Sequence, residues 1–176
     1  MFYGFLSAIL PDLVPGQAQE MSVAEFDALA ADYMSAGDFA AMTAYDPAAD
    51  MKRPALYRKL VVFDAYLNWK VACARAEKLG ISADYPMPEN WFSEVDYALP
   101  AAAASNDPAE RENALDQLRW QFIDEQILGH DLDFEYLCAY RLKLLMLEKH
   151  LRRNQADGKT IFEQAVDTLD STGIEI

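Results

Sequence analysis

The sequence is poor in positive charge: 15 Lys and Arg residues stand against 29 Asp and Glu residues, so the 176-residue chain carries a formal net charge of -14. A nucleic-acid binder needs a basic face for phosphate contacts, so this balance argues against nucleic acid as a partner. Cysteine is also scarce: Cys73 and Cys138 lie far apart and in no metal or redox spacing. Such cysteine usage fits a reduced cytoplasm better than a disulfide framework.

Long apolar runs are missing too. The apolar opening segment 1–10 ends at Pro11 and Asp12, whereas a membrane span needs about 20 residues. No Lys or Arg precedes this segment, which also argues against a secretory signal. We therefore expect residues 1–10 to be a buried terminal segment. The predicted location is the cytoplasm, and any association with a membrane should be peripheral and through partners.

Histidine occurs only twice, which leaves little material for a metal or proton-transfer site. The cluster that most resembles a set of metal ligands comprises His130, Asp131, Asp133 and Glu135. It lacks the Gly and the third alternate ligand of a calcium-binding loop, so its acids more simply belong to the first turn of a helix. Glu148 and His150 are two positions apart, whereas a di-iron site needs Glu-x-x-His twice. No Walker phosphate loop or nucleophile elbow occurs either. The sequence therefore predicts no catalytic, cofactor-binding or metal-binding residue.

The residues that are abundant favour one folded unit. Hydrophobic residues make up 52% of the chain and aromatic residues 12%, which is enough to bury a core over a single domain, 1–176. Charge is segregated along this domain: residues 1–51 contain eight acids and no Lys or Arg, which marks an acidic N-terminal subregion. Two basic stretches follow, at 52–79 and 141–159.

Three long helices are predicted from apolar periodicity and end signals. The first runs from Pro54 to Gly80, because apolar residues recur every three or four positions between a helix-starting proline and a helix-ending glycine. The second starts at the pair Asp107 and Pro108 and stops at Gly129. The third spans about 131–153, and the short joint before it predicts an antiparallel hairpin with Leu118, Phe122, Leu137 and Leu144 in one core.

Shorter elements have weaker signals. Two capping boxes, Ser22 with Glu25 and Thr160 with Glu163, predict helices over roughly 23–34 and 161–169. The Ala-rich run 91–104 predicts a helix that Pro100 interrupts, followed by a loop. No segment alternates with the period of a β-strand. We therefore predict an all-α helical bundle of about five to seven helices, with long central helices and an antiparallel C-terminal hairpin.

Two groups of residues are candidates for binding a partner. Four bases of the last long helix lie largely on one side and could dock an acidic partner or anionic lipid headgroups: Arg141, Lys149, Arg152 and Arg153. The alternative is that these bases pair with the acidic helices beside them. Trp91 and Trp120 are typical of core or interface anchors, and they are the candidates for an apolar contact.

The two ends of the chain resemble a known family. The N-terminal part of the resemblance is Phe2-Tyr3-Gly4-Phe5-Leu6-Ser7 with Leu10-Pro11-Asp12-Leu13. The C-terminal part comprises Leu118-Arg119-Trp120, Ile123-Asp124, Phe134, Leu137, Tyr140, Lys143-Leu144, Glu148 and Gly158-Lys159 before Phe162. In this order and spacing, the chain resembles an uncharacterised bacterial family encoded among the genes of V-type (A/V-type) ATPases.

The resemblance implies a role in an ion-transporting complex. Genes of that family lie beside those for the catalytic and stalk subunits, in clusters that lack an ordinary C-type subunit, the all-α socket between the central stalk and the membrane rotor ring. By resemblance, the chain is therefore expected to be a non-catalytic subunit or accessory protein that couples the stalk to the rotor, as the C-type subunit does. No cofactor is expected, the expected partners are other ATPase subunits, and in complex with them the chain would lie at the periphery of the inner membrane. The alternative is a small soluble helical enzyme or ligand-binding protein whose carboxylates converge in a pocket.

Overall fold

The computed structural model describes residues 3–46, 54–82, 85–105 and 107–155. Within these ranges the secondary structure consists of seven α-helices without a β-sheet, which confirms the predicted all-α class. In chain order the helices are α1 (Gly4–Ile9), α2 (Val23–Tyr33), α3 (Ala36–Thr43), α4 (Ala55–Lys78), α5 (Ser93–Ala104), α6 (Pro108–Gln126) and α7 (Phe134–Gln155).

Local side-chain caps start two of the predicted helices. At α2, the Ser22 hydroxyl accepts a hydrogen bond from the Glu25 N–H at 3.2 Å, and the Glu25 carboxylate accepts one from the Ser22 N–H at 2.8 Å. At α6, Asp107 Oδ1 accepts from the Ala109 N–H at 2.8 Å. These bonds satisfy donors that have no partner within the helix. The box of Thr160 with Glu163 lies outside the described residues.

Three elements differ from the sequence prediction. Helix α3 was not predicted; it begins at Ser35, whose hydroxyl accepts from the Asp38 N–H at 3.2 Å. Helix α5 continues through Pro100 instead of being interrupted there, and the proline simply supplies no N–H within the helix. The N-terminal segment is buried on one face only, because Leu6 is in the core while Phe5 is exposed.

Helices α4, α6 and α7 form the centre, and α6 runs antiparallel to both α4 and α7. Arg119 of α6 meets Asp64 of α4 at 2.7 Å, and the Phe63 and Phe122 rings stack 4.3 Å apart. Between α6 and α7, residue numbers fall along one helix as they rise along the other: Asp124 meets Lys143, and Asn113 meets His150. Leu118, Phe122, Leu137 and Leu144 share the hydrophobic core. The predicted antiparallel hairpin is therefore confirmed.

Helix α7 is the long helix against which both α2 and α3 pack. It packs against α2, α3, α4 and α6. Its Glu135 accepts hydrogen bonds from the backbone N–H groups of Ala55 and Leu56, both at 3.0 Å, at the start of α4. Its Glu148 accepts from the Val23 N–H at 2.9 Å, at the start of α2. Two side chains of α7 thus complete the first turns of two other helices.

Candidate protein-docking site

The candidate site begins where α4 ends. Gly80 has a φ of 67°, a backbone conformation that residues with a side chain rarely adopt, and this turns the chain back on itself. The Ile81 N–H then donates to the Ala76 carbonyl at 2.9 Å, which satisfies one of the last carbonyls of α4. The predicted helix end at Gly80 is therefore confirmed.

After this turn, the chain returns along the surface of α4. The indole Nε1 of Trp69 donates to the Tyr85 carbonyl at 3.2 Å. Further along, the Phe92 ring lies 5.2 Å from the Phe63 ring and 5.7 Å from the Tyr66 ring. The loop between α4 and α5 is therefore held against α4 by both a hydrogen bond and aromatic packing.

Asp96 in the first turn of α5 fixes the side chains around the loop. Its Oδ1 accepts from the Tyr66 hydroxyl at 2.9 Å and lies 2.7 Å from Lys70 Nζ. Its Oδ2 accepts from Trp91 Nε1 at 2.7 Å. Lys70 in turn lies over the Trp69 ring, 5.5 Å from its centroid, in a cation–π contact. One carboxylate therefore joins α4, the loop and α5.

The Asp96 cluster has the electrostatics of an ion pair. The hydrogen bond from Lys70, with further bonds from Trp91 and Tyr66, holds the pKa of Asp96 below its ordinary value. The same hydrogen bond raises the pKa of Lys70. Burial, together with the bond to Asp96, raises the pKa of Tyr66. Asp96 and Lys70 are therefore both charged at neutral pH, and the Trp91 indole is held by a charged acceptor.

Large apolar side chains remain exposed around this cluster. Tyr97 is 91% exposed and Trp91 is 62% exposed, although the Trp91 indole N–H is fixed by Asp96. We define the aromatic surface as these two residues together with the large apolar side chains exposed from the end of α4 to the start of α5; its members are Leu79, Ile81, Tyr85, Met87, Trp91 and Tyr97. Exposed aromatic and apolar side chains of this kind, one of which, Trp91, is fixed by a polar cluster, are typical of protein-binding sites.

The part of the chain that begins with this surface also carries the family match. Residues 79–173 match the family described as protein of unknown function, DUF2764. The chain belongs to the DUF2764 family. The matched range contains the whole aromatic surface together with α5, α6 and α7. No curated protein and no solved structure matches the chain.

The DUF2764 match covers only part of the resemblance drawn from the sequence. The C-terminal motifs, from Leu118 to Phe162, fall within the matched range, whereas the N-terminal motif at 2–13 precedes it. Membership of an uncharacterised family is therefore established. The family description names no activity and no partner, so the link to rotary ATPases stays a prediction.

The two tryptophans predicted as partner contacts lie in different environments. Trp91 belongs to the exposed aromatic surface. Trp120 is only 6% exposed, and Lys143 Nζ lies 5.0 Å from its ring centroid. Trp120 is therefore covered by its own chain, as a core residue is, and whether it also contacts a partner stays a prediction. Its burial follows from its position on the side of α6 that faces α7.

The four candidate bases of α7 also separate into two pairs. Arg141 binds Asp27 of α2 through Nε and Nη2, at 2.8 and 2.9 Å, and Arg153 binds Asp116 of α6. Lys149 and Arg152 are the more exposed pair; Lys149 lies 3.4 Å from Asp116, and Arg152 donates to Glu148 at 3.2 Å. Arg141 and Arg153 thus serve internal ion pairs. Whether any of the four binds a partner stays a prediction.

The residues considered as metal ligands have structural partners. Asp133 Oδ1 accepts from the Glu135 N–H at 2.9 Å at the start of α7, its Oδ2 lies 2.6 Å from His130 Nδ1, and Glu135 reaches α4. Glu148 points to α2 while His150 meets Asn113 of α6. In the part of the chain that the structure describes, His, Cys, Asp and Glu side chains form no cluster of three or more that could hold a metal ion.

Two carboxylates approach each other in a cavity of about 170 Å³ between α4, α6 and α7. Asp64 and Asp116 are bridged there by Arg119, at 2.7 and 3.0 Å. Both acids therefore act as ion-pair partners of one partly buried guanidinium. The alternative of an enzyme or ligand-binding protein with a carboxylate-lined pocket stays a prediction.

A bilayer span requires a helix that is both long and apolar. Among the helices in the described ranges, none combines the necessary length with sufficient apolar content. A peripheral attachment through partners stays a prediction.

Proposed function

We propose that this DUF2764 protein is a non-catalytic component of a bacterial V/A-type rotary ATPase, similar to the C-type socket that couples the central stalk to the membrane rotor ring. The choice of a rotary ATPase rests on the resemblance of the N-terminal and C-terminal motifs to the ATPase-associated family. The proposal of a docking role rests on the structure of the aromatic surface.

The observation that carries the docking role is the exposure of Trp91 and Tyr97. Aromatic residues are enriched at protein interfaces, and a few of them often supply most of the binding energy. Trp91 is already fixed by Asp96, so binding would cost little additional side-chain ordering. Tyr97 is almost fully exposed and could be buried completely by a partner.

The polar cluster beneath these aromatics suits a protein that transmits force. Asp96 connects Tyr66 and Lys70 of α4 with Trp91 of the loop, so a load on Trp91 would pass into a long central helix. A contact built on a rigid helix is more precise than one built on a free loop. This arrangement supports a coupling role for the aromatic surface.

The test is reconstitution with purified ATPase subunits. The full chain is mixed with the central-stalk subunits, and separately with the detergent-solubilised rotor ring, of the V/A-type ATPase from its native cells. Co-elution is measured by size-exclusion chromatography and affinity by calorimetry. We expect the wild-type chain to bind the central stalk. Failure to bind either component would overturn the rotary ATPase proposal.

A double variant tests the surface itself. Trp91→Ala with Tyr97→Ala should weaken the association by at least about tenfold, since truncating one interface anchor costs about 2 kcal/mol or more. The fold should persist, because Asp96 keeps its bonds to Tyr66 and Lys70.

The matched control removes two exposed aromatics elsewhere. Phe5→Ala with Tyr33→Ala changes a pair whose rings lie 5.3 Å apart on α1 and α2, away from the aromatic surface. This variant should bind as the wild type does. Equal losses in both double variants would show that the aromatic surface is not the docking site.

A further inference from the structure

A groove lies beside the aromatic surface, between the last turns of α4 and the first turns of α6. It has a volume of about 160 Å³, and α5 supplies its third wall. The apolar part of its lining consists of Val71, Ala74, Leu99, Ala102, Ala103 and Leu115. Three of these six are alanines, and their short side chains leave the space between the helices unfilled.

Three cations stand around this apolar lining. Arg75 and Lys78 come from α4, and Arg111 comes from α6. Within the described ranges none of the three forms an ion pair; Arg111 Nη1 donates only to the Ser105 carbonyl, at 3.5 Å. The one acid in the lining, Glu112, lies 3.9 Å from Arg153 of α7.

These three cations contrast with other bases of the molecule. Arg119, Arg141 and Lys70 each meet a carboxylate within 3 Å. With 29 acids against 15 bases in the chain, carboxylates are abundant. Three bases that line one groove, without a carboxylate partner among the described residues, therefore present a local positive surface on an acidic protein, which favours an anionic ligand.

The size of the groove indicates the form of that ligand. Sites that enclose a small molecule typically measure about 300–1,000 Å³, and this groove is smaller and open to solvent. A space of this size fits a few apolar side chains rather than a whole small molecule. An amphipathic helix presents such side chains at i, i+3, i+4 and i+7, and inserts them into a groove formed by other helices. Acidic residues beside that apolar stripe would reach the three cations.

The groove and the aromatic surface adjoin each other along the chain at the end of α4. Lys78 lines the groove, and the next residue, Leu79, is the first member of the aromatic surface. We propose that this groove binds an acidic amphipathic helix of the partner protein, whose apolar residues fill the space between α4, α5 and α6 and whose carboxylates pair with Arg75, Lys78 and Arg111. This inference rests on the proposed docking function and specifies the chemistry of the partner.

The probe is a synthetic fluorescent peptide rather than the unidentified partner. It has more than about 15 residues, so that a helix can form, with Leu at i, i+3, i+4 and i+7 and Glu on the remaining face. Its binding to the full chain is measured by fluorescence anisotropy. We expect binding that weakens as salt rises, because the cations are close to solvent. A peptide with Lys in place of Glu should not bind.

Charge reversal separates specific pairing from general attraction. Arg75→Glu, Lys78→Glu and Arg111→Glu together should weaken peptide binding by about tenfold or more, because three attractive charge pairs become repulsive. Lys78→Glu alone is compared with Lys59→Glu, an equal charge change at an exposed position nearer the start of α4. Only the Lys78 variant should lose affinity. Equal losses at the two lysines would overturn the groove as the binding site.

A filling variant tests the apolar part without changing charge. Ala103→Phe places a ring in the groove and should reduce peptide binding while the helical circular dichroism stays unchanged. Undiminished binding would overturn the inference. If Ala103→Phe changes the circular dichroism spectrum, the smaller substitution Ala103→Val is measured in its place.

The acidic segment 160–175 of the same chain is the competing occupant of the groove. If Phe162→Ser with Leu169→Ser raises the affinity for the peptide, the groove is used internally, and the proposal of a partner helix is overturned.

The two proposals fail separately. If the central-stalk subunits bind but the acidic peptide does not, the groove inference is overturned and the proposed function stands. If the acidic peptide binds but neither ATPase component does, the groove is supported as a helix-binding site and the rotary ATPase is ruled out as the partner.

Discussion

Glu135 of α7 caps α4: its Oε2 atom accepts a hydrogen bond from the backbone N–H of Leu56 at 3.0 Å. The other carboxylate oxygen does the same for Ala55. The first N–H groups of a helix have no partner within that helix, and the positive end of its dipole favours a carboxylate. This capping residue lies 79 positions away from Leu56 in the sequence.

We expect Glu135→Ala to lower the free energy of unfolding by about 1–2 kcal/mol, the usual cost of removing a capping side chain. Urea denaturation measures the change. Glu89→Ala, at an exposed loop position, is the control and should change stability by less than about 0.5 kcal/mol. Equal effects of the two substitutions would show that the Glu135 cap contributes no stability.

The contrast between local and distant caps explains much of what the sequence could predict. Ser22 with Glu25, and Asp107 with Pro108, signal helix starts within four residues, and both starts are found. Glu135 and Glu148 cap helices far away in the sequence, so only the tertiary structure reveals their roles. Ser35 also carried a local signal for α3, but the helix it starts is short.

The candidate site was less predictable than the fold. Trp91 and Trp120 look alike in the sequence, yet one is exposed and the other is covered by α7 and Lys143. Asp96, Lys70 and Tyr97 carried no motif that would have singled them out. Whether an aromatic side chain is exposed depends on which helix packs over it, and periodicity within one helix does not specify the neighbour.

Arg141 provides a second stability test, because its side chain is only 12% exposed in the ion pair with Asp27. Arg141→Ala should cost about 1.5–3 kcal/mol, the range for hydrogen bonds to charged groups. Arg152→Ala is the control, since Arg152 is 74% exposed and its pair with Glu148 should contribute less than about 0.5 kcal/mol. In a double-mutant cycle, Asp27→Asn should cost less once Arg141 is absent.

Leu144 tests the core of the hairpin. Its side chain is fully buried, so Leu144→Ala should lower stability by about 2–5 kcal/mol through lost burial and the cavity that remains. Thermal denaturation by circular dichroism measures the change. Leu128→Ala removes the same atoms from an exposed position in the turn and should leave the melting temperature nearly unchanged. An unchanged melting temperature for Leu144→Ala would contradict its place in the core.

Asp96 predicts a dependence of stability on pH. The hydrogen bond from Lys70 holds the pKa of Asp96 below the ordinary value of 3.8, so the folded state favours the ionised carboxylate. The resulting stabilisation is fully present above about pH 3.8 and is lost as the pH falls through the lower, folded-state pKa. Asp96→Asn should therefore be less stable than the wild type at neutral pH, and the difference should shrink in acid. A constant difference from neutral pH to acid would contradict this linkage.

Replacing Gly37 and Gly80 by alanine should change the stability of the protein in opposite directions. A Cβ atom would meet nothing within 4 Å at either Gly37 or Gly80, so packing does not decide the outcome. Gly37 lies within α3, where alanine should add about 0.5–1 kcal/mol of stability. Gly80 has a positive φ, so Gly80→Ala should cost about 1–2 kcal/mol. Chemical denaturation of both variants tests the difference, and stabilisation by Gly80→Ala would contradict it.

The contacts that side chains of α7 make with earlier parts of the chain limit the order in which the nascent chain can fold. When residues 1–130 have left the ribosome, α2 and α4 are complete in sequence, but their capping carboxylates, Glu148 and Glu135, are not yet available. Tyr140, whose hydroxyl donates to the Pro11 carbonyl, is also still to come. Contacts between such distant residues form slowly, because a long loop must close first. We therefore expect the emerging chain to remain sensitive to protease until α7 has been released, and then to become resistant in one cooperative step.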